Sequence, residues 1–174
     1  EEGIIVKSEE YDSDGKLIGE GIVDLEGFKQ GEWKNYFDNG VLYSKGIYYN
    51  NKKNGKWEFY YKNGKVEQVG NFKDDKYDGK WNWFYESGNL KKEENFYLGK
   101  NEGLFVEYDE FGNEVIKGEY IDGEKDGDWT IKVGDIIEQG KYTVGLKDGK
   151  WKYFYYNGKL RFEGNYIQGN EDGK

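Results

Sequence analysis

The sequence predicts an all-β protein of about seven stacked β-hairpin repeats. Three observations support this prediction. A Gly-x-aromatic signal recurs every 24 residues and shortens once to 22. Two β-favouring runs separated by a glycine-containing turn fill each interval. Aromatic residues make up 19% of the chain although the mean hydropathy is −1.08, so aromatic side chains must build the core.

The recurring signal divides the chain into seven units of one repeat array. We expect the units near residues 1–30, 31–54, 55–78, 79–102, 103–126, 127–148 and 149–174. The aromatic residue of each signal is predicted to belong to the structural core of the repeats: Trp33, Trp57, Trp81, Phe105, Trp129 and Trp151. The first unit instead places Ser8 and Glu10 at aromatic positions, which is typical of a polar end cap.

The turn inside each hairpin is predicted from the unit that spans residues 55–78. Asn63-Gly64 separates two β-favouring runs there, and Asn-Gly is the strongest short signal for a type I′ turn. With these two residues at the turn, Tyr61 pairs with Val66 and both side chains face the core. In the shortened unit the turn moves to Gly134-Asp135, a pair compatible with type II′.

The same register pairs each core aromatic residue with a strand glycine of its own hairpin. Trp57 lies opposite Gly70, and Trp33 lies opposite Gly46. A strand glycine leaves backbone uncovered, and a neighbouring aromatic ring can cover it. We therefore expect Trp57 to cover Gly70.

A second aromatic series points to the opposite, mostly charged face of the hairpins. We predict that it forms a partner-binding stripe of five residues: Tyr36, Tyr60, Phe84, Tyr108 and Phe154. The alternative is that these side chains only cover a half-exposed sheet.

The composition excludes most catalytic chemistry. The chain has no His and no Cys, so imidazole bases, thiolate nucleophiles, zinc fingers and disulfides are all absent. Paired carboxylates could act on glycosides, but they need a deep site, which a sheet of stacked hairpins does not offer. The run Asp122–Asp128 resembles the first half of a calcium loop, yet Val133 stands where a bidentate Glu is required. We therefore expect no enzyme activity, no cofactor and no metal.

The charge of the chain limits its partners and its compartment. A net charge of −9 and a single Arg, Arg161, disfavour nucleic acid and anionic membrane lipid. The sequence contains no run of 18 apolar residues, so it predicts no membrane-spanning helix. Because the chain starts at Glu1 and lacks Met, we expect a leading segment before it; a signal peptide there would indicate secretion or the cell envelope, and otherwise the cytoplasm is expected. The bias towards Lys, Asn, Ile and Tyr indicates a bacterial source.

These units resemble the variant MORN repeats of bacterial proteins, some of which are labelled antitoxins. The stretches Tyr155–Tyr166 and Lys147–Trp151 are close to the pattern of that family. The resemblance implies a single-layer antiparallel meander of successive hairpins that serve as attachment and assembly modules. Because open sheets of more than about ten strands usually curl, we expect a curled, elongated sheet. We accordingly predict a non-catalytic repeat scaffold that mediates protein–protein interaction, with the partner and the oligomeric state open. The alternatives are a carbohydrate- or choline-binding module of the cell envelope that uses surface aromatics, and an antitoxin-like inhibitor protein.

Overall fold

The computed structural model describes residues 6–172, which contain strands and turns and no helix. It follows that this part of the chain has no helix able to cross a membrane. The chain forms two compact units, a first unit of residues 1–89 and a second unit of residues 90–174, each of which contains several of the sequence repeats.

The first unit is an antiparallel meander in which each strand is hydrogen-bonded to the next one along the chain. Its strands are β1 (Val6–Tyr11), β2 (Leu17–Val23), β3 (Lys29–Tyr36), β4 (Leu42–Tyr49), β5 (Lys52–Tyr60), β6 (Val66–Lys73) and β7 (Lys76–Phe84). Ser8 and Glu10 lie on β1 as expected, and Lys29 Nζ pairs with Glu10 Oε1 at 2.9 Å.

The second unit repeats this arrangement with one interruption, because β8 pairs with both the short β9 and the following β10. Its strands are β8 (Leu90–Tyr97), β9 (Lys100–Asn101), β10 (Gly103–Tyr108), β11 (Glu114–Ile121), β12 (Glu124–Val133), β13 (Ile136–Thr143), β14 (Leu146–Tyr155), β15 (Leu160–Ile167) and β16 (Asn170–Glu171). The predicted all-β, antiparallel hairpin meander is therefore confirmed within each unit.

The turn between β5 and β6 is not the predicted type I′ turn. Tyr61 N donates to Lys65 O at 2.9 Å, and Gly64 N donates to Tyr61 O at 2.9 Å. Gly64 has a φ of 80°, whereas Asn63 does not have a positive φ. These features define a three-residue loop in which a type I turn is followed by a left-handed glycine. The prediction of a two-residue turn at Asn63-Gly64 is wrong, because only one of these residues adopts a left-handed conformation.

A bulge compensates for this longer loop and changes which face one residue occupies. The ladder pairs Tyr60 with Val66, shifts by one residue, and then pairs Phe59 with Gln68. Val66 therefore shares the charged face with Tyr60, and its predicted place on the core face is wrong. The same shift pairs Tyr36 with Leu42 and Phe154 with Leu160.

Type I′ turns do occur, but they join successive hairpins. Asn50 and Asn51 have φ values of 49° and 65°, and the turn between β6 and β7 repeats these values at Asp74 and Asp75. Asn and Asp tolerate this conformation better than other residues with a side chain. The expected turn at Gly134-Asp135 fits type II′, since Gly134 has a φ of 55° and Asp135 joins the next strand without a positive φ.

Five tryptophans of the core each pack against the hairpin that precedes them. The ladder pairs Trp57 with Gly70, as predicted, but the Trp57 ring lies over Gly46 of the preceding hairpin. A Cβ added to Gly46 would collide with that ring, while the ring over Gly70 belongs to Trp81. The expectation that Trp57 covers Gly70 is therefore wrong. Five such pairs occur: Gly21 with Trp33, Gly46 with Trp57, Gly70 with Trp81, Gly118 with Trp129, and Gly140 with Trp151.

A hydrogen bond fixes four of these five rings in this position. Trp57 Nε1 donates to Ile47 O at 3.0 Å, which is the carbonyl that follows the covered glycine. Trp33, Trp81 and Trp151 make the corresponding bond at 2.8, 2.8 and 3.0 Å. The five tryptophan side chains are at most 2% exposed. The hydrogen bond therefore gives the buried indole N–H of these four rings an acceptor.

The repeat that contains Glu94 lacks this contact between a tryptophan and a glycine, and the reason is steric. Glu94 takes the place of the glycine, and its Cβ leaves no room for an indole. The ring that follows it is the smaller Phe105. The buried Glu94 carboxylate accepts a hydrogen bond from Asn101 Nδ2 and pairs with Lys92 Nζ at 2.8 Å. The buried charge is thus compensated.

Candidate functional site

The predicted stripe residues occupy the ends of strands, next to the hairpin turns. Tyr36, Tyr60 and Phe84 are the last residues of β3, β5 and β7 in the first unit. All five stripe side chains are half-buried. In the second unit β12 carries Lys132 between the strands of Tyr108 and Phe154, and its Nζ donates to Glu114 O at 2.6 Å. The stripe is therefore interrupted there and is best developed in the first unit.

The register adds aliphatic side chains to the stripe that sequence reasoning missed. Leu42 and Val66 lie directly opposite Tyr36 and Tyr60 in the ladder. Val69 pairs with Glu58 and Asn82 on the same face. The one-residue bulge in these two hairpins places Leu42 and Val66 on the charged face, and no local sequence pattern identifies such a bulge reliably.

Two of these side chains, Val66 and Val69, line a groove on the charged face of the first unit, which we call the Phe84 groove. Its volume is about 580 Å³. Its apolar lining comes from Val66, Val69 and Phe84, and its polar lining includes Lys56, Glu58 and Lys65. An apolar floor with a charged rim is the usual anatomy of a protein-binding patch.

The tyrosine hydroxyls of the stripe are already paired with carboxylates. Tyr36 donates to Glu20 Oε1 at 2.6 Å, and Tyr108 donates to Glu93 Oε2 at 3.1 Å. Burial and the bond to Glu20 raise the pKa of Tyr36 to about 12. These hydroxyls are held by the protein itself, so the stripe offers ring surface to a partner.

Glu58 is the centre of the charge network beside the groove. It pairs with Lys56 Nζ at 2.6 Å and Lys45 Nζ at 2.9 Å, and Tyr60 donates to its Oε2 at 2.5 Å. Hydrogen bonds from Lys56, Tyr60 and Lys45 lower the pKa of Glu58 to about 2. The carboxylate therefore stays ionised and holds the Tyr60 hydroxyl.

Glu58 should make the stability of the protein depend on pH. A folded-state pKa of about 2 lies below the ordinary value of 4.5, so the stabilisation is complete above pH 4.5 and is lost as the pH falls towards 2. We expect Glu58→Gln to lower the free energy of unfolding by about 2 kcal/mol at pH 7, after allowance for solvent screening of the lysines. Denaturant unfolding of both proteins from pH 7 to pH 2 measures this. A difference that does not shrink below pH 4.5 would contradict the assignment.

The core aromatic rings face lysines of the chain itself. Lys147 Nζ lies 4.0 Å from the Trp151 ring centroid, and Lys125 Nζ lies 4.4 Å from that of Trp129. Lys53 Nζ lies 5.2 Å from the Trp57 centroid. Desolvation, followed by the charge of Lys147, lowers the pKa of Lys125. Since these ring faces already hold a cation, the core row is poorly suited to bind choline.

The run Asp122–Asp128, which resembles part of a calcium loop in sequence, begins with a tight hairpin turn. Asp122 and Gly123 have φ values of 56° and 91° and join β11 to β12. The Asp122 carboxylate pairs with Lys100 Nζ at 2.8 Å, which lowers the pKa of Asp122. Residues 6–172 contain no group of three or more acidic side chains placed to hold a metal.

The fold and its repeated Trp–Gly contact define a protein of stacked antiparallel β-hairpin repeats. The chain belongs to the MORN repeat variant family, whose model matches residues 29–51, 53–74, 77–96 and 147–168, half of the chain in total. No curated protein matches it. The central residues without a match include Phe105 in place of Trp and the hairpin with the shortened turn. MORN repeats are a non-catalytic repeat type and generally bind proteins or membranes.

Proposed function

We propose that this chain is a non-catalytic scaffold that binds a protein partner through the stripe, mainly in its first unit. The Phe84 groove is the observation that supports this function, because it combines apolar side chains with a charged rim on the face opposite the core. The net charge of −9 weakens attraction to anionic lipid, which favours a protein partner over a membrane surface.

Substitution of one stripe residue that lines the groove, Phe84, together with its stripe neighbour Tyr60, tests this proposal. We expect Tyr60→Ser combined with Phe84→Ser to weaken binding of the partner at least tenfold, since about 1.4 kcal/mol per tenfold is modest for two aromatic side chains at an interface. The partner is first captured from an extract of the source organism with the wild-type chain and identified by mass spectrometry. Its affinity for both chains is then measured by calorimetry with purified components.

A matched control separates binding from stability. Phe111 is 92% exposed at a turn of the second unit, and Phe111→Ser should leave both affinity and thermal unfolding unchanged. If the double variant binds normally while folded, the stripe only covers the sheet. The wild-type chain could instead bind vesicles of anionic lipid, choline or an oligosaccharide and lose this binding in the double variant. That result would assign the stripe to that ligand and not to a protein.

A further inference from the structure

Three adjoining cavities form one channel across the charged face of the first unit. The Phe84 groove shares two lining residues with a cavity of about 380 Å³ that contains Ile47. That cavity shares two further residues with a third one of about 520 Å³, which contains Ile22. The shared residues are Lys56 and Glu58 in the first case and Glu32 and Lys34 in the second. Because Ile22 lies on β2 and Phe84 on β7, the channel runs across the strands, and we call it the charged-face channel.

The floor of the channel carries apolar side chains. Ile22 and Ile47 occupy the same place in consecutive repeats, because each follows a glycine that a tryptophan ring covers. They lie two strands apart, which corresponds to about 9.6 Å at a strand spacing of about 4.8 Å. Val69 and Phe84 continue the apolar floor towards β7. Since β2 and β7 are separated by five strand spacings, the channel is about 24 Å long.

The lining of the channel is cationic although the chain is acidic. Five lysines and three glutamates line the three cavities, whereas the whole chain has a net charge of −9. The lysines are Lys7, Lys34, Lys45, Lys56 and Lys65, and the glutamates are Glu20, Glu32 and Glu58. Lysines remain in excess when Glu9, which pairs with Lys7 at 3.0 Å, is added to the glutamates.

The lysine side chains are also more exposed than the carboxylates with which they pair. The Glu58 side chain is 19% exposed, while its partners Lys45 and Lys56 are 47% and 67% exposed. Lys34 and Glu20 show the same order, at 53% and 25%. A ligand that enters the channel therefore meets ammonium groups before it meets these carboxylates.

This charge distribution favours an anionic ligand that is narrow enough to enter the channel. At physiological ionic strength the Debye length is about 8 Å, so a ligand inside the channel interacts mainly with the lining. A flat anionic membrane surface stays outside the channel and meets the rest of an acidic chain. A protein segment is the better match, since it can also place apolar side chains on Ile22 and Ile47.

The interval between Ile22 and Ile47 favours an extended segment. In polyproline II each residue advances about 3.1 Å and every third side chain lies on the same face, so the interval on that face is about 9.3 Å. The corresponding interval is about 6.7 Å in a β-strand and about 5.4 Å in an α-helix. Polyproline II is closest to the 9.6 Å between the two isoleucines, and about eight residues of it span the channel.

We propose that the charged-face channel binds an extended acidic segment of the protein partner, with an apolar side chain at every third residue and carboxylates between them. The apolar side chains contact Ile22 and Ile47, and the carboxylates pair with the exposed lysines of the channel. The proposal rests on the protein-binding function proposed above, and the channel adds the charge and the conformation of the segment that is bound.

A synthetic peptide is the appropriate probe. It consists of three Glu-Leu-Pro triplets followed by Glu and carries a fluorescein label, and its prolines favour polyproline II. We expect the full chain to bind it in fluorescence anisotropy. Binding should weaken at least tenfold between about 0.1 M and about 1 M NaCl, because the Debye length falls from about 10 Å to about 3 Å.

Two control peptides separate charge from spacing. A peptide with Lys in place of every Glu should not bind, because the channel is cationic. A peptide of the original composition with its three leucines adjacent should bind at least fivefold more weakly, because only one leucine can then reach an isoleucine of the floor.

Paired lysine variants locate the peptide on the chain. Lys56 and Lys65 line the channel, and Lys65 Nζ donates to the backbone oxygen of Ser87 at 2.7 Å. We expect Lys56→Gln combined with Lys65→Gln to weaken peptide binding at least tenfold. Lys52→Gln combined with Lys73→Gln changes the net charge equally on the same two hairpin strands, outside the channel lining, and should change the affinity less than twofold. Thermal unfolding checks that both double variants are folded.

Three results would overturn the proposal. One is the absence of peptide binding at millimolar concentration. Another is an equal loss of affinity in the two lysine double variants, which would mean that net charge and not the channel governs binding. The third is equal affinity for the peptide with adjacent leucines, or binding of anionic lipid vesicles without binding of the peptide.

The captured partner distinguishes this proposal from the proposed function. Tyr60→Ser combined with Phe84→Ser could weaken its binding while the variant of Lys56 and Lys65 binds normally. The protein-binding function would then stand, and the acidic segment would be wrong. If the partner binds both variants normally, both proposals are wrong, whereas weaker binding by both variants supports both.

Discussion

Replacement of Trp57 by Ala is expected to lower the free energy of unfolding by about 3–5 kcal/mol. The indole is fully buried, it covers the backbone of Gly46, and its Nε1 donates to Ile47 O at 3.0 Å. The substitution removes all three contributions and leaves a cavity between two hairpins. Urea denaturation followed by circular dichroism measures the change.

The exposed Tyr49 provides the comparison for Trp57. It is 64% exposed in the same unit, and Tyr49→Ala should cost less than about 0.5 kcal/mol. If Trp57→Ala costs less than about 1 kcal/mol, the tryptophan is not core, and the aromatic row would have to be reconsidered as a binding surface.

The second large effect is expected from Gly46→Val, which should cost about 3 kcal/mol or more. A Cβ at this position collides with the Trp57 ring, so the indole must leave its site or the two strands must separate. The same substitution at Gly164 meets no ring in the described structure and should be nearly neutral. Unfolding curves of the two valine variants, measured side by side, test the contact between the Trp57 ring and Gly46 directly.

A compensating substitution sharpens this test. The chain already combines Glu94, which has a Cβ, with the smaller ring of Phe105. We therefore expect Gly46→Ala combined with Trp57→Phe to be more stable than the sum of the two single effects predicts. Strict additivity would show that the ring and the glycine do not touch.

The sequence predicts the Trp57–Gly70 pairing correctly although it assigns the wrong turn. Asn-Gly suits a type I′ turn, but it suits equally a three-residue loop in which a type I turn is followed by a left-handed glycine, and the chain adopts the latter at Gly64. The bulge beside Tyr60 then restores the register. Two one-residue irregularities cancel at the core pair, while Val66, which lies between them, changes face.

The periodic pattern cannot decide which glycine a tryptophan covers. Gly46 pairs with Trp33 on one side and with Trp57 on the other, so both rings are candidates. The choice depends on side-chain direction and on the left-handed Gly55, with a φ of 64°, which shifts the ladder just before Trp57. Such backbone detail is not encoded in spacing alone.

The candidate site was predictable only in part. Alternation along the strands places Tyr36, Tyr60 and Phe84 on the charged face, since this requires only the period of two. The apolar lining of the Phe84 groove includes Val66, whose place on this face follows from the bulge, and Val69, which regular alternation already places there. Whether the stripe binds a protein remains a prediction that the groove variants test.

The Trp–Gly interlock also constrains how the gene of such a protein can change. A tryptophan fits against a glycine eleven residues earlier in four of the five pairs, so inheritance must keep the two positions matched. Unequal crossing-over that exchanges whole repeats preserves the match between ordinary units. A crossover that joins the strand of Glu94 to a following Trp would set an indole on a Cβ, and one that joins Phe105 to a glycine would leave a void. The repeats can therefore be duplicated freely only outside this pair, which must be copied together.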